Sequence, residues 1–243
     1  MVCTLVAICN KKDITDEFQE NLSTQIGVEY SYIQIDNYNN NLNSARNAFN
    51  KVLDKTNGEY IIFLHPDIRF LHAESLRHVV DYCKQVGEFG VIGVAGAKSD
   101  ASGKRAIYTH ILNGNNRINP GIDIRNPIEV QTVDECMFIV KRELINRYNF
   151  PEKQGFHLYA TEYCLLMLKK GYTNYVVPAE IWHLSEGRSL DPNYMKQLET
   201  IIKDYKNDFD VIYTTVKKWT TKGLLAYIYR KYYYFKQCIK RII

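Results

Sequence analysis

Three short and almost unbroken apolar runs fall within the first 64 residues: Val2 to Cys9 (VCTLVAIC), Tyr30 to Ile35 (YSYIQI) and Glu59 to Leu64 (EYIIFL). A strand without a polar side has both faces covered, as in a parallel sheet packed between helices. Helical patterns separate the runs. One lies around Asp13 to Leu22. The second starts from a cap at Asn43 or Ser44 and extends to about Thr56, with Ala45, Ala48, Phe49, Val52 and Leu53 on its packed side and Asn57-Gly58 ending it. The alternation predicts a βαβαβ half-sheet. Ligands of such sheets collect at the carboxyl ends of the strands, so Cys9-Asn10, Asp36 and His65-Pro66-Asp67 are expected on one rim.

The second half is less regular. We expect a helix over about Ala73 to Val86 and a buried strand over Phe89 to Ala95. Lys98 to Asn126 is rich in Gly, Asn, Ser and Asp and reads as binding loops, with a short strand or two near Ile107 to Leu112. Strand signal returns at Ile128 to Val133 and Cys136 to Val140, and a helix starts near Arg142. A helix over Glu162 to Lys170 ends at Gly171, succeeded by strand signal at Tyr172 to Val177 and Glu180 to His183. The expected fold class is α/β: a mostly parallel mixed sheet flanked by helices.

Six scattered cysteines form no CxxC pair or zinc spacing, which suits reduced, buried thiols and a cytoplasmic location. Residues 1–10 read as a strand rather than a signal peptide, and no apolar stretch is long enough to span a bilayer. The net charge of +4 is uneven. From Lys217 onward there are eight Lys/Arg and no acids, leaving 23 bases against 27 acids before it. An acidic body argues against a nucleic-acid partner. The division expected is a body over 1–215 and a basic, aromatic helical tail over 216–243.

A carboxylate at a strand's end, as in Phe63-Leu64-His65-Pro66-Asp67, can hold a hard divalent ion whose other positions take diphosphate oxygens. The alternative is a turn in which Pro66 fixes the chain and Asp67 caps Arg69 or the next helix. His65 is open to three roles: ligand, phosphate donor, or a residue orienting Asp67. His183 ends a strand on the same expected rim and is a second ligand candidate, with a buried structural histidine as the alternative.

Several blocks in order resemble the inverting, nucleotide-sugar-dependent family 2 glycosyltransferases, whose catalytic domain is the GT-A fold, nearest to the bacterial branch building capsule, lipopolysaccharide or rhamnose-containing wall glycans. They are Ala45-Arg46-Asn47 before a helix, His65-Pro66-Asp67 where the family has Asp-x-Asp, and Val133-Asp134 through Lys141-Arg142-Glu143. Phe156 to Tyr172 and Val176-Val177-Pro178 through His183 complete the series, which covers about residues 3 to 190.

The resemblance implies a nucleotide-diphosphate sugar donor, with a UDP-sugar first and dTDP-rhamnose a rival, and a glycan or lipid-linked acceptor. It also implies Mn2+ or Mg2+ held by Asp67 and His183, and a carboxylate base giving inversion. Ala7, Cys9, Asn10 and Asp36 would lie by the nucleoside, with an Asx turn as the alternative for Asp36. Arg46 and His65 join the donor side, with a structural role the alternative for Arg46, and Arg188 would clamp diphosphate from a mobile loop. The gapless match places Ala160 on the family's usual catalytic Asp and Glu162 on the second Asp of its E-D-x-D, while a match with a deletion in the helix would put Glu162 on the catalytic Asp. Since Ala160 cannot accept a proton, Glu162 is the first candidate base and Asp134 the second; the other roles open to Asp134 are a place near the donor sugar or acceptor, with Glu135, and local capping. His157 could bind acceptor or phosphate, or only pack. Ala160 also keeps open a non-catalytic subunit that binds nucleotide sugar or glycan beside an active partner.

In the tail, apolar residues recur at Leu225, Ile228, Tyr232, Phe235, Ile239 and Ile242, among Arg230, Lys231, Lys236, Lys240 and Arg241. This basic amphipathic helix suits an anionic membrane surface, the inner face of a bacterial membrane in the setting implied. Packing on the body or on a second subunit is the alternative.

Overall fold

The protein is described by a computed structural model covering residues 1–185 and 191–239. Its first half runs β1 (Cys3–Cys9), α1 (Lys12–Ser23), β2 (Tyr30–Asp36), α2 (Ala45–Asn50), a 3-10 turn (Leu53–Lys55), β3 (Tyr60–Leu64), β4 (Ile68–Phe70) and α3 (Ser75–Val86). β1 is parallel to β2 and to β3, with Cys9 beside Asp36 and Ala7 beside Leu64. That register brings Asn10, Asn37 and His65 to one rim. Ser44 caps α2 by accepting from the Asn47 amide. The α2 helix is shorter than its apolar pattern suggested. The Asn50 side chain clamps the Phe150 backbone in both directions, and beyond it the chain tightens into the 3-10 turn.

The second half runs β5 (Ile92–Gly93), β6 (Ala95–Ser99), β7 (Arg105–Thr109), β8 (Leu112–Asn113), β9 (Ile122–Asp123), β10 (Ile128–Val130), β11 (Thr132–Val133), β12 (Met137–Lys141), α4 (Arg142–Arg147), α5 (Tyr159–Lys169), β13 (Asn174–Val176), β14 (Ile181–His183), α6 (Pro192–Tyr205), β15 (Val211–Tyr213), β16 (Lys218–Thr220) and α7 (Leu224–Ile239). The main sheet has seven strands in the order β10-β13-β5-β12-β3-β1-β2, with β12 and β10 antiparallel to their neighbours. The mostly parallel mixed sheet read from the sequence is therefore present. The single strand expected at Phe89 to Ala95 is instead two. β5 stays in the main sheet, and β6 leaves it to pair with β7 and β11. The crossing is tight: a Cβ on Gly96 would lie 2.6 Å from the Thr132 carbonyl oxygen.

Both faces of the sheet are covered. Leu5, Ala7 and Cys9 of β1 face α1 and α3 through Phe18, Leu22, Leu76 and Val79. Val6 with Ile61 and Phe63 of β3 face Phe49, Leu144, Tyr163 and Met167 of α2, α4 and α5. On this second side Phe49, Phe63, Phe138, Phe150 and Tyr159 interlock, with Phe49–Phe63 centroids 4.8 Å apart and Phe49–Tyr159 edge-on at 5.5 Å. Aromatic pairs of this kind add about 0.5–1.5 kcal/mol each beyond the area they bury. Their consequence for the site is a rigid floor that fixes Tyr159.

Two smaller units complete the rim. In β4-β14-β8, His183 pairs with Ile68, placing its ring beside the residue that ends the 65–67 turn. A third apolar cluster joins α6, the β15–β16 hairpin and α7 to α5 through Leu165, Tyr194, Leu198, Ile201 and Trp219. Gln131 fastens the hairpin to the body by donating to the Val211 carbonyl and accepting from the Tyr213 amide. No helix among the described residues is long and apolar enough to cross a membrane.

Candidate active site

His65, Asp67 and His183 converge at the rim, and one ligand atom from each lies within 4.8 Å of the others. Asp67 Oδ1 and His183 Nε2 face each other at 3.4 Å, and His65 Nδ1 is 3.9 Å from the same oxygen. Among the described residues, neither Asp67 Oδ1 nor His183 Nε2, both buried, makes a hydrogen bond that meets geometric criteria. At 3.4 Å the two atoms face each other as an ion pair without a well-formed hydrogen bond, and a cation between them would take a lone pair from each. Burial alone would push the Asp67 carboxyl up, but His183 and His65 hold it down to about 2. Burial disfavours charge on His183, yet Asp67 outweighs it and raises that ring's pKa. His65 shifts the other way, chiefly because burial disfavours its cation.

The far side of His65 is tied down: its Nε2 lies 2.8 Å from the Tyr159 hydroxyl. If Nε2 donates to that oxygen, Nδ1 is left as a lone pair facing Asp67. Sequence reading missed this role of Tyr159. The aromatic floor explains it, and no local motif announces it.

Two cavities meet at this point. One, of about 660 Å³, is lined by Asn10, Asn37, Leu42, His65, Asp67 and Tyr159 at the ends of β1, β2 and β3. The other, of about 570 Å³, is lined by Asp134, Glu135, His157, Leu158, Thr161 and Thr215. His65, Asp67 and Ser185 line both. A ligand filling the first cavity would end against the metal-type triad, and a second ligand could reach that end from the other side.

Asp134 and Glu135 come directly after β11, at the wall of the second cavity. Asp134 accepts from the Cys136 amide and from the Thr215 hydroxyl, at 3.0 and 2.6 Å. Glu135 reaches the start of α5, where its Oε1 accepts from the Tyr159 amide at 2.6 Å. Leu158 enters that helix in the left-handed conformation, with φ +59° and no cap from its own side chain. Glu135 thus supplies the cap from another element. Burial pushes its carboxyl up to about 8, with Asp134's charge adding to the effect.

The sequence pattern of the glycosyltransferase like family matches residues 3–205. The chain belongs to that glycosyltransferase family, of the family 2 kind. A curated Fuscovulum blasticum protein, "ATP synthase subunits region ORF 6", is 24% identical over 219 residues, covering 86% of this chain and 84% of its own. Among solved structures, S. aureus TarS in complex with UDP-GlcNAc superposes with a TM-score of 0.58 at 14% identity, over 86% of this chain and 68% of that one. The Pyrobaculum calidifontis mannosyltransferase PcManGT, in complex with GDP-Man and Mn2+, gives 0.56 at 11%, over 85% and 64%. At such identities these likenesses speak to the fold.

Within this glycosyltransferase, the expected site residues separate into two groups. Asn10, His65, Asp67, Asp134 and His183 line the adjoining cavities. Glu162 does not. It is fully buried and pairs with Arg46 Nε at 2.8 Å and with Lys153. Arg46 is its counter-ion and equally buried. Ala7 and Cys9 are core residues, the Cys9 thiol lying 3.4 Å from the Tyr32 hydroxyl. Asp36 closes an Asx turn by accepting from the Tyr38 amide at 2.8 Å. Ala160 is completely buried. His157 pairs with Asp191 at 3.2 Å. Arg188 lies outside the described residues.

Proposed function

We propose that the chain transfers a sugar from a nucleotide-diphosphate donor to an acceptor hydroxyl, with inversion. The observation that carries this reading is that the two cavities share His65 and Asp67, with His183 beside them in the second. In it the nucleotide fills the larger cavity, with Asn10 and the strand ends around it, and its diphosphate ends at Asp67. The acceptor fills the second cavity and approaches from the side away from the leaving group, the geometry an inverting displacement needs.

His65, Asp67 and His183 would hold a divalent ion, and one carboxylate with two imidazoles suits Mn2+ better than the oxygen-preferring Mg2+. When bound, that ion neutralises charge growing on the leaving diphosphate. Tyr159 keeps His65 oriented through Nε2.

The base we assign is Glu135, rather than Glu162 or Asp134. Glu162 is committed to Arg46 and Lys153 away from the cavities. Asp134 accepts from Cys136 and Thr215 and shapes the acceptor side. Glu135 lines the acceptor cavity, and its carboxylate sits at the first amide of α5, one residue from Ala160. The acid missing from position 160 is thereby replaced from a different element. A carboxylate whose pKa lies near 8 is matched to taking a proton near neutrality. As the hydroxyl oxygen bonds to the anomeric carbon, its proton passes to Glu135 and the bond to diphosphate breaks, the electron pair leaving with diphosphate.

UDP-sugars are the first donors to test, since TarS is seen with UDP-GlcNAc. dTDP-rhamnose and GDP-mannose complete the panel. The assay tracks release of nucleoside diphosphate by the full chain with Mn2+. Turnover of one donor, lost in Glu135→Gln and retained in Ala160→Gly, supports the reading. Tight nucleotide binding with neither transfer nor hydrolysis favours a non-catalytic binding subunit instead, the reading to which Ala160 otherwise points.

A further inference from the structure

We propose that the outward face of α7 docks on an anionic lipid surface, so that the second cavity opens toward acceptors held in that membrane. The helix presents two opposite faces. Its inner face is polar: Arg230 is buried, donating to Glu199 at 2.8 Å and to the Thr220 carbonyl at 2.6 Å, and Gln237 is buried beside it. Tyr233 on this side meets Trp219 edge-on at 5.4 Å. The outer face is the apolar one. Leu224, Leu225, Ile228, Tyr232, Phe235 and Ile239 are all more than half exposed. At 3.6 residues per turn they occupy about a third of the circumference, on the side away from Arg230 and Gln237. Among the described residues nothing covers that apolar side, the reverse of an amphipathic helix packed on its own core.

Charge identifies the partner. Lys231 and Lys236 are exposed and flank the apolar stripe on its two edges. No acid occurs after Asp210. A stripe about 22 Å long, edged by lysines and tyrosines, matches the apolar-boundary and phosphate layers of an anionic leaflet. A second copy fits less well, because stripe-to-stripe pairing would bring like lysines together.

The β15–β16 hairpin joins the inner side of α7 to the second cavity. Thr214, Thr215 and Val216 line the cavity, and the next residue, Lys217, stacks its ammonium over Tyr229 and Tyr233 of α7 at 5.0 and 4.5 Å. A helix lying on lipid therefore sets the cavity wall close to the surface. The part concerning acceptors rests on the transferase reading above, whereas lipid binding by α7 does not.

The test is co-sedimentation of the full chain with vesicles of phosphatidylcholine alone or with three-tenths phosphatidylglycerol, at 0.15 M salt. Expected is binding to the anionic vesicles and little to the neutral ones. Ile228→Glu with Phe235→Glu should abolish it. Lys231→Gln with Lys236→Gln should weaken partition about thirtyfold, at about fivefold per lysine. These residues are exposed, so thermal midpoints should stay within about 2 °C of wild type. Light scattering distinguishes the rival occupant. A dimer that both variants dissociate, or a wild-type chain that ignores anionic vesicles, would overturn the proposal. Vesicle binding without any sugar transfer would leave the lipid surface standing and remove only the transferase reading.

Discussion

Replacing Glu162 by glutamine removes one charge from a network with almost no access to water. Glu162 and Arg46 have side chains 0% and 1% exposed, and their contact is a 2.8 Å ion pair. Arg46 has little else: its NH1 reaches Gln197 Oε1 only at 3.4 Å, and its NH2 is already without a partner. Lys153, on the other side of Glu162, keeps Asp204 at 2.5 Å. The variant therefore strands the Arg46 charge, and breaking a buried pair from one side costs about 3–5 kcal/mol. A chain of this size loses about 2 °C of midpoint per kcal/mol, so thermal unfolding monitored by circular dichroism should move down by about 6–10 °C. Replacing both partners, Arg46→Met with Glu162→Leu, should recover much of that loss, because no unpaired charge remains. Turnover per folded molecule, measured well below the midpoint, should stay within about tenfold of wild type. An unchanged midpoint together with a thousandfold loss of turnover would overturn this assignment and return Glu162 to the role of base.

Glu135→Gln should lower kcat by about 10²–10⁴ while leaving nucleotide binding by calorimetry unchanged. Turnover of the wild type should rise with pH toward about 8, because the protonated carboxyl cannot accept a proton, and the variant should lack this rise. The same raised pKa has a stability consequence. Between the unfolded value of 4.5 and about 8 the folded chain keeps a proton the unfolded chain has lost, so this group's contribution falls as pH rises, and Glu135→Gln should flatten that slope in denaturant titrations. Asp67→Asn and His183→Ala should each weaken Mn2+ binding, read by calorimetry or electron paramagnetic resonance, by at least tenfold. Tyr159→Phe keeps the aromatic floor but frees His65 Nε2, and should weaken Mn2+ by about tenfold with little change in midpoint.

The strand-rich first half is legible in sequence because its signal is local and its strands are buried on both faces. Asp67 is visible in the same way, as a polar residue after an apolar run of the main sheet, whereas His183 reaches it from a separate small sheet, where β14 runs antiparallel to β4 and pairs His183 with Ile68. Nothing local singles out Glu135 for the role proposed for it. Its partner amide is 24 residues away, and what joins them is the path of β11, β12 and α5 over the aromatic floor. The α6 helix lies outside the sequence-based expectations although Asp191 caps it, Pro192 opens it, and Tyr194, Met195, Leu198, Ile201 and Ile202 recur at helical spacing. In the tail the stripe is visible in sequence, but nothing local reveals that Arg230 and Gln237 face the body in its place.

That one junction joins donor, cation and base is best tested by a structure of the full chain soaked with Mn2+ and the nucleotide sugar it turns over. Expected are an anomalous peak bound by His65, Asp67 and His183, diphosphate against it from the Asn10 side, and the Glu135 carboxylate facing the anomeric carbon from the opposite side. Manganese elsewhere, or a sugar whose anomeric carbon faces a different acid, would contradict the proposed arrangement.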